Sequence, residues 1–233
     1  SKCVQSGWSL KHLHRLILNS AVYQQSSRPQ LSTRQSIDPE NRLLWKFPRR
    51  RLTAEELRDS LLALGGKLDP ALGGTVLDVT QDGGKEDEVR GLYSGAAPAG
   101  EFKSYTSRRR SIYLPVLRNT LHEVFQLFDF ANANAVTTRR PETTVGPQSL
   151  YLMNSPFVNA EAERAGERII RSGATDAERV RLAYRLALGR EPSAIEADVV
   201  MKFIGKSKTA QTSRAWSALV HSLFGSVDFR HLD

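Results

Sequence analysis

The apolar positions of this chain recur mostly at three- and four-residue spacing, the period of an α-helix with one face turned inward. From a candidate N-cap at Ser9, the residues Leu10, Leu13, Ile17 and Ala21 fall on one side, with Leu16 and Tyr23 widening the stripe, until the polar run 24–36 ends it. A stronger start lies at Thr53, where Glu56 completes a capping box and Leu52 and Leu57 close a hydrophobic staple around it. Leu57, Leu61 and Leu64 line one face of that helix, and Gly65 and Gly66 stop it. A third run, 115–130, sets Leu117, Leu121, Val124, Phe125 and Phe128 on a common side, with Pro115 tolerable only in the first turn.

Beyond Thr144 the signals are closely spaced. Pro147 suits the first turn of a short helix through Leu150, Leu152 and Met153, and Ser155 with Pro156 reads as N-cap and N1 of a longer one ending near Gly173. Thr175 with Glu178 forms a second capping box, opening a helix through Val180, Ala183, Tyr184 and Ala187 that stops at Gly189. Ser193 with Glu196 forms a third, leading to Ile195, Val199 and Phe203, and the last helix carries Trp216, Leu219, Val220, Leu223 and Phe224. Four helices joined by short turns predict an antiparallel array. The stretch from Gly65 to Gly100 differs, because it holds 9 of the 16 glycines and cannot be a regular helix. The β-branched run 75–80 and the stretch 103–113 are candidates for an irregular hairpin, and the acidic Glu86, Asp87 and Glu88 read as a solvated loop. The predicted fold is therefore mainly α, a multi-helix array of about eight helices with an irregular Gly-rich loop or small hairpin insertion near 65–110. Its parts are an N-terminal helical portion, 1–145, and a C-terminal array, 146–233, packed as one unit.

Composition narrows the class. With 233 residues, 40% hydrophobic, 25% charged and a mean hydropathy of −0.39, the chain is suited to a soluble packed core and to neither a collagen-like nor a wholly disordered state. No apolar run approaches the ~20 residues that span a bilayer. Cys3, the one cysteine, forms no internal disulfide and no four-thiolate metal site. The opening Ser-Lys-Cys, without Met or a signal-like apolar segment, reads as a piece of a longer polypeptide. The formal charge of +8 carries a bias, since 24 of the 33 basic residues are Arg and 9 are Lys. Arg presents a planar fork matched to carboxylate, sulfate or phosphate, although a GC-rich genome produces the same bias.

Enzyme signatures are missing from the residues. His12 and His14 lie about 200° apart on a helix and do not share a metal there. His122 with Glu123, and the group Asp228, His231 and Asp233, form no recognisable ligand spacing. Gly66-Lys67-Leu68 and Gly84-Lys85-Glu86 lack the hydroxyl residue and glycine spacing of a phosphate loop, and there is no nucleophile elbow, zinc-protease helix or haem-attachment motif. What stands out is basic clustering: Arg49, Arg50 and Arg51; Arg108, Arg109 and Arg110; Arg139 and Arg140. Each has aromatic neighbours, namely Trp45 and Phe47, Tyr105 and Tyr113, and Phe128 and Phe130. Such a mixture suits an anionic glycan or a nucleic-acid backbone. It equally suits internal pairing with Asp38, Glu40, Asp129 or Glu142. A catalytic version would have Arg groups orient an anionic substrate while Asp129 or Glu142 supplies acid or base.

Several strings go beyond periodicity. The stretch from Gly7-Trp8-Ser9-Leu10 to Leu16-Ile17, then Ser20-Ala21-Val22-Tyr23-Gln24, Asp38-Pro39-Glu40-Asn41, Leu44-Trp45, Arg49-Arg50-Arg51-Leu52 and Arg109-Arg110-Ser111-Ile112-Tyr113 resemble the planctomycete-specific PSD family, a domain of unknown function (DUF1553). Phe128-Asp129, Arg139-Arg140, Thr143-Thr144, Pro147-Gln148, Met153-Asn154-Ser155-Pro156-Phe157-Val158 and Ala183-Tyr184-Arg185-Leu186-Ala187-Leu188-Gly189-Arg190-Glu191-Pro192 are similar to its later blocks. Gly225-Ser226-Val227-Asp228-Phe229 departs from the Asn-Ser-x-Glu-Phe ending common in the family. The resemblance implies the C-terminal part of an exported, periplasmic or envelope protein whose relatives often carry a c-type cytochrome domain upstream. No cofactor is expected in this chain, with c-type haem belonging to an upstream domain, and no catalytic residue carries over. The expected function is a non-catalytic interaction or scaffold domain whose partners are upstream domains of the same polypeptide and an anionic polysaccharide. An enzyme acting on a polysaccharide or redox partner is the alternative, and a nucleic-acid-binding module the second.

Overall fold

The computed structural model describes residues 2–27, 33–73, 107–116, 121–173, 175–206 and 212–232. By internal packing the chain divides into two units, one formed by Ser1–Arg51 with His231–Asp233 and the other by Leu52–Arg230. The fold is mainly α, with ten α-helices and a single two-stranded ladder among the described residues.

In the first unit, α1 (Lys2–Gln5) ends at a left-handed corner, Gly7 and Trp8, and α2 (Leu10–Leu18) begins at once. Ser9 caps it as its spacing predicts, its hydroxyl accepting from His12 N at 3.3 Å. The predicted stripe is shorter than expected, because the helix stops at Leu18, leaving Ala21 and Tyr23 outside. It also faces solvent: Leu10 is 65% exposed, and Leu16 and Ile17 are exposed too. The polar run holds a further short helix, α3 (Thr33–Ile37). Asp38 then organises a tight turn, its carboxylate accepting from Arg42 N at 3.0 Å and Leu43 N at 2.8 Å, while its carbonyl accepts from Trp45 Nε1. Asn41 repeats the device, exchanging hydrogen bonds with the Lys46 backbone. The strand β1 (Arg50–Arg51) pairs antiparallel with β2 (His231–Leu232), Arg50 opposite Leu232 and Arg51 opposite His231.

In the second unit, α4 (Ala54–Leu64) forms with both halves of its capping box made, and it buries Leu57, Leu61 and Leu64. Of the long helix expected over 115–130, residues 117–120, Leu117 among them, lie outside the described residues; in the remainder only α5 (Glu123–Leu127) is helical, and a 3₁₀ turn at Ser111–Tyr113 precedes the run. The reason is local. His122 Nδ1 accepts from Val124 N and so starts α5 late, and Asp129 enters the left-handed region at φ 60° and ends it early. Phe125 and Phe128 are buried nonetheless. The run 75–80 lies outside the described residues. Of 103–113 only 107–113 are described, and they give a parallel bridge between Asp69 and Arg109 followed by the 3₁₀ turn; the hairpin expectation and the acidic loop at Glu86, Asp87 and Glu88 lie outside the described residues.

Four helices follow α6 (Gly146–Asn154): α7 (Pro156–Ser172), α8 (Asp176–Leu188), α9 (Ala194–Gly205) and α10 (Thr212–Gly225). The capping boxes at Thr175 and Ser193 are both complete, and Gly189 closes α8 in the left-handed region. Ser155 occupies the N-cap of α7 without donating or accepting a capping bond. The core runs along the contact of α7 with α10, where Trp216, Leu219, Val220, Leu223 and Phe224 are buried against Val158, Ala162, Ala165 and Ile169. Backbones approach closely at Gly166, where a Cβ would stand 2.8 Å from Ser217 N. On α9 the buried positions are Val200 and Ile204, while Ile195, Val199 and Phe203 face solvent, a face about 100° from the one expected. Arg190 fastens the α8–α9 turn, reaching Glu196 at 2.7 and 2.9 Å and Asp228 at 3.1 Å, with its guanidinium 5.5 Å from the Tyr184 ring. That pairing holds the Glu196 carboxyl down at about 2.

Candidate functional site

Helix α4 organises two of the three arginine clusters from one face. Glu55, Arg58 and Asp59 stand at positions i, i+3 and i+4, which places them side by side on a helix. Arg58 is 1% exposed, and its guanidinium donates to Arg109 O at 3.1 Å, Ser111 Oγ at 3.2 Å and Ser107 O. Asp59 Oδ1 accepts from Ser111 N at 2.8 Å and Ser111 Oγ at 2.6 Å. Burial lowers the Arg58 pKa, with Asp59 and Glu161 opposing the shift. A buried guanidinium so thoroughly bonded to one strand of backbone fixes that strand, here the segment carrying Arg108, Arg109 and Arg110.

Within the cluster the three arginines separate by role. Arg109 lies over the Tyr113 ring at 4.1 Å and donates to Gly73 O, so it serves the interior of the segment. Arg108 and Arg110, on either side, are exposed, and their side chains make no hydrogen bond or ion pair among the described residues. The second cluster repeats the division. Arg140 pairs with Glu55 at 2.8 Å and covers the Phe130 ring at 5.0 Å, while Arg139 is exposed and unpaired among the described residues. Arg49, Arg50 and Arg51 belong to the first unit, where Arg50 and Arg51 form β1.

Three of the acidic side chains proposed as partners for these arginines hold other groups. Asp38 accepts backbone amides, Glu40 pairs with Arg42 at 2.7 Å, and Asp129 accepts from Thr143 N and Thr143 Oγ1, each at 2.8 Å. Glu142 is exposed. An acid or base role for Asp129 therefore competes with a turn that it holds together. No group of three or more His, Cys, Asp or Glu side chains is placed to hold a metal ion among the described residues. No helix is long and apolar enough to cross a membrane among them either.

One further ionisable group sits beside this site. Glu161 on α7 is 3% exposed, and its Oε1 accepts from Arg164 at 2.5 Å. Burial raises its carboxyl above the ordinary range, opposed first by Arg164 and then by Arg108 and Lys67, which stand close enough to act on it. Its other oxygen points at Gly65, where any Cβ would overlap it. Glu55, Arg58, Asp59 and Glu161 carry no motif, and sequence reasoning passed over them. The available signal was weak: an Arg and an Asp inside a capped helix, on the turn after its N-terminus.

The chain matches the family described as PSD1, protein of unknown function (DUF1553), over residues 1–204. No curated protein and no solved structure matches it.

Proposed function

Because the chain belongs to the PSD1 family of proteins of unknown function (DUF1553), we propose that it is a non-catalytic interaction domain of an exported protein, and that it holds an anionic polysaccharide through Arg108, Arg110 and Arg139. The observation that carries this reading is the division of labour in both clusters. Arg109 and Arg140 are tied into the body, whereas the side chains of their neighbours are exposed and make no hydrogen bond or ion pair among the described residues. A guanidinium fixed at its backbone by a buried neighbour loses less entropy when it grips a sulfate or carboxylate. Arg49, Arg50 and Arg51 supply further positive charge in the other unit. The envelope location and the association with a cytochrome-bearing polypeptide rest on the family resemblance of the quoted motifs.

The test is chromatography on a sulfated polysaccharide and on a neutral one over a salt gradient. The protein is expected to be retained on the sulfated matrix alone. The triple variant Arg108→Gln, Arg110→Gln, Arg139→Gln should elute at lower salt while melting at nearly the same temperature, since substitution of an exposed side chain changes stability by about 0.5 kcal/mol or less. Equal retention on both matrices would reject the reading. Stronger retention on DNA than on the sulfated polymer would assign the surface to nucleic acid instead.

A further inference from the structure

The end of α4 opens onto a pocket of about 560 Å³ that Arg108, Arg110 and Arg139 do not line. Ala63, Gly65, Gly66 and Lys67 form one side, and Arg168 and Arg171 of α7 the other. Three of the lining side chains are cationic and none is acidic. Arg168 is held in place: its Nη1 donates to Ala63 O at 2.9 Å and Leu64 O at 3.3 Å, two carbonyls of the last turn of α4. Its Nε and Nη2 make no hydrogen bond among the described residues. Gly66 turns the chain at φ 70°, a conformation that glycine adopts without strain. Lys67 is exposed and unpaired among the described residues, and Arg171 reaches only a loose partner, Glu167 at 3.9 Å.

A fixed planar fork flanked by two loosely held cations is a recognition arrangement for a tetrahedral oxyanion. The pocket is open to solvent, and its volume of about 560 Å³ leaves room for more than a bare ion. We infer that this pocket takes a small ligand bearing a sulfate or phosphate group, seated on Arg168 and covered by Lys67 and Arg171. Glu161 is not among the lining residues and is paired with Arg164. The inference goes beyond the polysaccharide reading and does not depend on it, since its cations are different ones.

Isothermal titration of the full chain tests it, with sodium sulfate, sodium phosphate, glucose 6-sulfate and glucose 6-phosphate as probes and sodium chloride at matched ionic strength as reference. Saturable binding is expected for at least one oxyanion probe, tighter for the sugar-borne group than for the free ion, and the pattern across the four identifies the group. Lys67→Ala with Arg171→Ala should weaken it about tenfold or more, the loss expected for two charged contacts. Both side chains are at the surface, and the charge reversal Lys67→Glu offers a second route that leaves Arg171 in place and should abolish binding. The Arg108→Gln, Arg110→Gln, Arg139→Gln variant should keep it. Heats matching those of chloride, or affinity unchanged in the Lys67 and Arg171 variants, would overturn the inference.

Discussion

The two units contain helices of similar sequence character but bury them very differently. In Leu52–Arg230 the apolar faces of α4, α7 and α10 meet in one core, whereas in the first unit Asp38 is the one buried residue among those described. Yet α2 is as clearly amphipathic as any helix of the larger unit, with Leu10, Leu13, Leu16 and Ile17 on one side and Lys11 and Arg15 on the other. Patterning and a cap are enough to make a helix. They do not supply the surface that covers it, and most helical stability comes from that covering.

The largest effect should come from removing the centre of the core. Trp216 is fully buried on α10, and Trp216→Ala should cost about 3–5 kcal/mol, read from denaturant unfolding of the whole chain. Trp216→Phe should cost much less, because the indole N–H has no partner in the interior. A loss below about 1 kcal/mol for the alanine variant would place the core elsewhere.

A smaller effect is expected at the Arg190 clamp, and its sign follows from the Glu196 carboxyl. Its folded pKa, about 2, lies below the ordinary value of 4.5, so the clamp stabilises fully above about pH 4.5 and is lost as pH falls toward 2. Both side chains are about one-third exposed, which limits the contribution to about 1 kcal/mol. Glu196→Gln should therefore lower stability at pH 7 and flatten its dependence between pH 4.5 and 2. An unchanged acid limb would show that the clamp contributes nothing. Smallest of all should be Leu16→Ser in α2, with a change within about 0.5 kcal/mol, since it removes no buried contact. A loss of 2 kcal/mol or more would mean that the α2 stripe is covered in solution.

What could be read in advance divides along the same line. The capping boxes at Thr53, Thr175 and Ser193, the prolines at 147 and 156 and the stop at Gly189 all act within a few residues, and each marks a helix end in the structure. The face of α9 was not legible, because Val199, Val200, Met201, Phe203 and Ile204 form overlapping apolar stripes that periodicity cannot rank. Nor was the length of α5, which depends on a histidine acting as a cap and an aspartate adopting a left-handed conformation. At the candidate site the clusters Arg108–Arg110 and Arg139–Arg140 were visible as charge runs. Their sorting into anchored and presented side chains was not, because it requires Arg58 to meet carbonyls some fifty positions away and Arg140 to choose Glu55 over the adjacent Glu142.

Residue-resolved amide hydrogen exchange under native conditions tests the central claim, that burial rather than helical patterning distributes stability in this chain, most directly. The amides of α7 and α10 should exchange slowest, at rates set by global unfolding, while those of α2 exchange with little protection. Protection in α2 equal to that in α10 would contradict the account.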